Sequence, residues 1–334
     1  MRKTAVIVFA LAIAIIAGFV TVSYEFGAGI PADAPVRQPE ASPPAAGHPF
    51  PDFYRGLYLN NDNSYDIQRL ESFIARAKRA HINTLVMDVQ TSKYAKRVVP
   101  RENIERCLAD GIHPVARVVV FPGGLSRHPA PESHLASIFD IAETACLNGF
   151  REIQFDYIRF SDEERHAGNL KHLGYAERYD YITGVLASAR ERLKKYNVRI
   201  SADIFGRVPH RTDDRIGQKM ERLDAVLDVI YPMAYPSHYW TTRMRNDPYG
   251  TVKWTSSAAK GRVANAAIVT YIQAFQMKMP RNMDYGTYVE KQIEAVHDAG
   301  VKGFILWNAR QQYDIPLAAV QNHYSTLTAG RDRR

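Results

Sequence analysis

Residues 152–160 read E-I-Q-F-D-Y-I-R-F, and Asp156 stands at the centre of the run. A purely structural strand continues Val, Ile or Leu into its turn, whereas this one ends by delivering a carboxylate, two aromatic rings and an Arg. That is the profile of a strand whose C-terminal end carries chemistry. Asp156 is the centre against which the rest of the chain is read.

Outward from this stretch, short β-branched or aromatic runs alternate with amphipathic helical patterns from Tyr54 onward, which is the signature of βα units on a parallel sheet. The spacing predicts strands at 56–59, 84–89, 115–121, 152–157, 199–204, 229–233, 267–271 and 303–307. Helical patterns lie between them at 66–80, 134–147, 179–196, 215–223 and 285–299, with another at 317–327. Weaker patterns at 103–109 and 253–262 fill the second and sixth units. Gly149 and Gly300 supply the left-handed residue that ends a helix. Eight such units predict a single-domain (β/α)8 TIM barrel over residues 52–330, since the usual size is ~250 residues. A doubly wound open sheet would carry a Gly-rich phosphate loop after an early strand, and L-N-N-D at 59–62 is not one.

Barrel enzymes place their active sites at the C-terminal ends of the strands, so polar residues closing a β-run carry weight. That rule selects Asp88 in L-V-M-D-V-Q, Asp156, Asp203 in I-S-A-D-I-F-G, Tyr235 and His238 in Y-P-M-A-Y-P-S-H-Y, and Trp307 with Asn308 in F-I-L-W-N. Period-2 alternation puts Gln154 on the face of Asp156 and Ser201 on the face of Asp203. Three carboxylates in one mouth, with aromatic surfaces beside them, suit glycoside cleavage: one proton donor, one nucleophile or base, and flat rings for sugars. The plainer alternative for any one Asp is a helix cap or a pair with an Arg such as Arg117 or Arg159. Trp307 is a sugar platform or a lid on the core, His238 a hydroxyl partner or a loop residue, and Tyr231 packing around a rigid Pro turn.

Other chemistries lack their signatures. No H-x-H or H-E-x-x-H occurs, and the eleven His are dispersed, so no metal site is expected. The segments after strands seven and eight lack a phosphate-cradling Gly turn, and no Lys ends a strand for a Schiff base. No cofactor is expected. The net charge of +8 is scattered and no reader motif appears, so nucleic acid is not an expected partner.

Arg2 and Lys3 precede an uncharged apolar stretch at residues 5–22, which reads as a signal anchor or signal peptide over 1–24. An A-D-A sequence ends at Ala34, far past the apolar run and followed by Pro35, which makes a poor cleavage site. The expectation is therefore an uncleaved inner-membrane anchor with the barrel in the periplasm or outside the cell, and a secreted form is the alternative. Residues 25–51, rich in Pro, Ala and Gly, read as a linker. Cys107 and Cys146 are each expected near a helix end, too far apart for a comfortable disulfide, and are read as two buried free thiols.

From about Tyr54 to Tyr313 the chain resembles the bacterial "Putative glycosyl hydrolase domain" family, an exported (β/α)8 family. The resemblance is carried by I-Q-F-D-Y-I-R-F, I-S-A-D-I-F-G, the run Ile216-Gly217-Gln218-Lys219, Y-P-M-A-Y-P-S-H-Y and A-G-V-K-G-F-I-L-W-N. It implies Asp156 and Asp203 as the catalytic pair and the Tyr235, His238 and Trp307 segments as substrate-lining. Two departures stand out. The family usually has Pro after D-Y-[IV]-R-F, where this chain has Ser161, and Pro122-Gly123-Gly124 occupies a loop where a polar or basic residue is expected.

The sequence thus predicts a glycoside hydrolase acting on a cell-envelope or exported polysaccharide. Asp156 and Asp203 are its expected catalytic residues, and Asp88, Gln154, Arg159, Tyr235, His238, Trp307 and Asn308 its expected substrate-binding residues. Adjacent strands lie about 4.8 Å apart, which favours retention, with Asp156 as nucleophile and Asp203 as acid/base. Arg159 and Gln154 are expected to favour the charge on Asp156, and Ile204 and Phe205 to raise the pKa of Asp203. The alternative is a catalytically silent barrel that binds polysaccharide in an envelope assembly. An Arg that consumes Asp156 or Asp203 would point that way.

Overall fold

A computed structural model describes residues 49–91 and 97–331, with side chains as far as Thr326. The expected anchor at 1–24 and most of the expected linker lie outside these residues. Among the described residues no helix is long and apolar enough to cross a membrane.

The strands are β1 (Tyr54–Leu59), β2 (Thr84–Asp88), β3 (His113–Val119), β4 (Glu152–Asp156), β5 (Arg199–Phe205), β6 (Val229–Met233), β7 (Ala267–Ile268), β8 (Thr270–Gln273) and β9 (Gly303–Trp307). All pair in parallel, and the sheet closes through β5 and β6. The predicted strand at 267–271 breaks at Val269, so β7 and β8 are two pieces of one stave and the barrel has eight. This is the expected (β/α)8 TIM barrel. The helices form where their apolar spacing demands. Ile67–Arg79 buries Leu70, Phe73, Ile74 and Ala77 on one stripe, and Asp66 caps it by accepting from the Arg69 N–H at 3.0 Å.

One helix is shorter than expected. The pattern at 215–223 becomes a helix only over Met220–Asp224. The preceding residues have other partners: the Ile216 carbonyl accepts from the Phe160 N–H at 2.7 Å, and Gly217 lies at φ 80°. Gln218 accepts from the Phe205 N–H at 3.0 Å and donates to the Asp203 carbonyl at 3.0 Å. That stretch fastens the end of β5 instead of extending a helix.

The layer between strands and helices is apolar, and Ile153 and Phe155 of β4 point into it. The other face of β4 is different. Glu152, Gln154 and Asp156, at alternate positions, are all buried inside the barrel, where most such barrels stack branched apolar side chains. At the base, Glu152 accepts from the hydroxyls of Tyr54 at 2.9 Å and Tyr231 at 2.7 Å, with His113 Nε2 at 3.3 Å. Arg199 donates to Tyr54 Oη at 2.7 Å, and Phe50 covers the Arg199 guanidinium from outside at 3.8 Å. Burial works against the charge of Glu152. The hydrogen bond and charge of His113, with Ser201 and Tyr231, outweigh it and hold the carboxyl below its ordinary range. One layer up, Gln154 Oε1 accepts from the Tyr271 hydroxyl at 2.9 Å. Asp156 tops this polar column.

Cys107 and Cys146 are both buried and unpaired, and burial pushes the Cys107 thiol up to about 12. Such thiols are unreactive.

Candidate active site at the barrel mouth

Arg117 organises the mouth. It sits on β3 two residues before the strand ends, pairs in register with Asp88 of β2 and with Gln154 of β4, and is buried. Its Nη1 donates to Asp88 Oδ1 at 2.5 Å, its Nε donates to Asp156 Oδ2 at 3.0 Å, and its Nη2 donates to the same Asp156 oxygen. Asp203 Oδ2 lies 3.9 Å from Arg117 Nε. Phe155 pairs with Ala202, and Asp156 and Asp203 each follow by one residue, so the two carboxyls stand level on adjacent strands. The sheet register thus gathers the three strand-end carboxylates around one guanidinium.

One cation cannot offset three buried anions, and protons make up the difference. Burial first, then the charge of Asp156, raises the pKa of Asp203 well above the carboxylate range, and Arg117 opposes this only in part. Burial also raises Asp88 against the pull of Arg117 and of the Tyr58 hydroxyl, which donates to Asp88 Oδ2 at 2.5 Å. Burial weakens the Arg117 charge, but Asp88 and Asp156 more than compensate, and its pKa ends well above the ordinary value. Burial and the neighbouring charge of Asp156 thus favour the protonated form of Asp203. Its Oδ1 and the Nε2 of Gln154 are buried atoms with no hydrogen-bond partner in the protein. The Asp203 carboxyl also lies within hydrogen-bonding reach of Asp156.

Aromatic rings enclose this centre. Trp307 stacks on Tyr58 at 4.0 Å between centroids, and the Arg117 guanidinium lies 5.2 Å from the Trp307 ring. Tyr271 meets Trp307 edge-on at 5.8 Å. Tyr235 is buried near enough to Asp203 and Asp156 for their charges to raise its hydroxyl pKa, beyond the larger effect of burial. Exposed His238 stands at the rim, with its ring edge-on to Tyr235 at 5.7 Å and to Phe275 at 5.9 Å.

Two expected substrate-binding residues point elsewhere. Arg159 donates to the Phe160 carbonyl at 3.0 Å and to Asp162 at 3.2 Å, and lies over the Phe205 ring at 4.5 Å. The counter-charge of Asp156 is Arg117, not Arg159. Asn308 donates to the carbonyls of Ala274 at 2.6 Å and Gln312 at 2.9 Å and accepts from the Arg310 N–H at 2.9 Å, so its amide holds the turn after β9. The sequence reading named Arg117 only as a possible partner of an Asp, not as a site residue, and did not name Tyr58. The available signal was a single charge, Arg117, inside an otherwise apolar strand.

Beyond Asp156 the backbone turns sharply. Tyr157 adopts φ 53°, a left-handed conformation that costs a non-glycine residue about 1–3 kcal/mol, and its N–H donates to Asp156 Oδ1 at 2.6 Å. The two departures from the family pattern touch each other here. Gly124 has φ 94°, and a Cβ on it would lie 2.8 Å from the backbone of Ser161, while Leu125 and Phe160 form a bridge. Among the described residues no group of three or more His, Cys, Asp or Glu side chains forms a metal site.

Residues 127–313 match a family model described as "Putative glycosyl hydrolase domain". The chain belongs to this family. The match takes in Asp156, Asp203, Tyr235, His238 and Trp307, and begins after Asp88 and Arg117. Among curated proteins none matches the sequence. Solved structures of similar fold include the PgaB (BpsB) glycoside hydrolase domain from Bordetella bronchiseptica, at TM-score 0.61 and 11% identity over 81% of this chain and 98% of that one. The Bacillus cereus spore cortex-lytic enzyme SleL aligns at TM-score 0.56 and 11% identity, over 81% and 74%. The Chromobacterium violaceum chitinase aligns at TM-score 0.51 and 13% identity, over 80% and 98%. At these identities the likeness is one of fold. This member of the "Putative glycosyl hydrolase domain" family shares its barrel fold with glycoside hydrolases.

Proposed function

We propose that the protein hydrolyses glycosidic bonds in a cell-envelope or exported polysaccharide, with Asp203 as acid/base and Asp156 as nucleophile. The observation that carries this reading is Asp203: a buried carboxyl with a strongly raised pKa, beside a second carboxylate, with one oxygen free of any protein partner. A proton donor to a leaving oxygen needs those properties. In the first step the Asp203 proton passes to the glycosidic oxygen as that C–O bond breaks, and Asp156 bonds to the anomeric carbon. In the second, Asp203 removes a proton from water, whose oxygen displaces Asp156 and restores both carboxyls. Arg117 and Tyr58 keep Asp88 and Asp156 in place, Trp307 and Tyr235 offer rings to sugar faces, and Gln154 Nε2 offers a donor. An inner-membrane anchor at 1–24 with the barrel in the periplasm, or a secreted form, fits such a substrate.

A second reading rests on one specific contact. Arg117 binds Asp156 through two nitrogens, the pairing expected of a barrel that binds polysaccharide without cleaving it. Incubating the full chain with bacterial polysaccharides, with reducing-end detection, separates the two. New reducing ends that vanish in Asp203→Asn support the hydrolase. Binding without new ends from any polymer supports the silent barrel.

A further inference from the structure

Two of the three tryptophans lie open to solvent: Trp240 is 57% exposed and Trp254 44%. Their rings meet at 6.3 Å between centroids and 70°, so the two indoles form a corner. Large apolar rings held in water call for an explanation, because a side chain free to move would turn toward the core. These rings are held from beneath. Buried Thr255, next to Trp254 on the helix Pro248–Lys260, shares a hydrogen bond of 2.5 Å with the Tyr239 hydroxyl and one of 3.2 Å with His210 Nε2. Tyr239, next to Trp240, also donates to the Gly206 carbonyl at 3.2 Å. Gly206 allows this approach, since a Cβ there would lie 2.6 Å from that hydroxyl and 2.4 Å from the Met233 carbonyl oxygen. His210 stacks on the Trp254 indole at 10° between planes. Burial, then the charge of Arg262, pushes the His210 pKa down to about 4, so its ring supports the indole as a neutral plate.

The corner is tied to the proposed active site through the backbone. Gly206 lies three residues past Asp203, and Tyr235, His238 and Trp240 follow one another on the segment that leaves β6. We propose that the Trp240–Trp254 corner is a second carbohydrate subsite, which holds a polysaccharide chain where it passes over the rim of the barrel at β5 and β6. This deepens the hydrolase reading and rests on it for the nature of the ligand. Stacking on exposed, preorganised aromatic faces is the way a protein grips the apolar face of a sugar ring. Thr241 Oγ1 accepts from the Met244 N–H at 3.1 Å and Thr242 Oγ1 from Arg245 at 3.0 Å, which leaves exposed Arg243 as a charged donor close to Trp240 in the chain. Two ring faces match a sugar unit or two, far below the ~800 Å² that each partner buries in a stable protein complex.

The test is affinity electrophoresis of the full chain in gels containing glycol chitin, galactomannan or carboxymethylcellulose. Wild type, Trp240→Ala, Trp254→Ala and Asp203→Asn are run in parallel, with Trp240→Phe as a control for folding. The expected result is retardation of wild type by at least one polymer and a tenfold or greater weakening in both Ala variants. Trp240→Phe and Asp203→Asn should bind like wild type. The disaccharide unit of a retarding polymer, cellobiose, mannobiose or chitobiose, should weaken the retardation when added in excess. Polymer affinity of the double Ala variant within twofold of wild type overturns the proposal, as does the absence of retardation by all three polymers. Loss of hydrolysis in Asp203→Asn with retardation intact keeps the two claims separate. Retardation by a polymer that is never cleaved counts against the hydrolase and for the subsite.

Discussion

Arg117 and Asp88 face each other in the register of β2 and β3, and Arg117 Nη1 donates to Asp88 Oδ1 at 2.5 Å. The same guanidinium holds Asp156 through Nε and Nη2, so one side chain fixes carboxylates from the strands on either side of its own. Removing it leaves buried anions without a counter-charge.

Arg117→Met is therefore expected to lower stability at pH 7 by about 3–5 kcal/mol, the usual range for breaking a buried ion pair. Urea unfolding measures it. The loss should shrink in Arg117→Met/Asp88→Asn, because one of the stranded charges is gone. An equal loss in both would show that Asp88 and Arg117 are not coupled.

Asp203→Asn should stabilise the protein on the alkaline side. The folded-state pKa of Asp203 is raised, so its contribution to stability is fully present below the unfolded value of ~3.9 and is lost as pH rises through the folded value. Asn cannot ionise and escapes that loss. At pH 8 the variant should exceed wild type by about 0.5–2 kcal/mol, with the gap closing toward pH 4. Unfolding curves that run parallel at both pH values would contradict the assignment.

With a substrate in hand, the pH profile of kcat/KM should fall on its alkaline limb as Asp203 loses its proton. The charge of Asp88 helps to raise Asp203, so Asp88→Asn should move that limb to lower pH. A limb that stays in place or moves upward would assign the acid elsewhere.

NMR of the first-formed product should show the anomer of the substrate, as the nucleophile role of Asp156 requires, and Asp156→Asn should lower kcat by at least about 100-fold. An inverted anomer would remove that role even with both residues essential.

At the base of the barrel the sign is opposite to that of Asp203. The folded pKa of Glu152 is lowered, so its stabilisation is present above the unfolded value of ~4.3 and is lost as pH falls through the folded value. Glu152→Gln should cost about 1–3 kcal/mol at pH 7, and the difference should fade in acid. Thermal melts at pH 7 and pH 3.5 would show it.

The eight staves were legible because helix and strand periodicities alternate plainly from Tyr54 onward. Asp88, Asp156 and Asp203 were legible because strand ends in such a barrel converge. Arg117 entered the sequence reading only as a possible partner for one Asp, because a lone Arg inside a strand does not show that it holds two carboxylates at once. Arg159 was misplaced because period-2 parity stops at Tyr157, whose left-handed φ turns the chain before Arg159 is reached. Asn308 shows the same weakness: a strand-end position does not tell a ligand from a turn cap. The helix expected at 215–223 failed because Gln218 and the Ile216 carbonyl are taken up by β5 and Phe160, contacts that no local pattern displays.

The polar column of β4 also bears on how the chain assembles. Its bonds join Tyr54 to Glu152, Glu152 to Tyr231 and Gln154 to Tyr271, residues 98, 79 and 117 apart in sequence. A half-built barrel would bury Glu152 and Gln154 with their partners still missing, and unsatisfied buried polar groups penalise such a state. Partly folded forms are thus disfavoured on both sides of closure, and unfolding should appear all-or-none despite the length of the chain. The nucleophile proposed at the top of β4 gains its final position only when the last stave is in place, so no fragment of this barrel should retain a weak remnant of its activity.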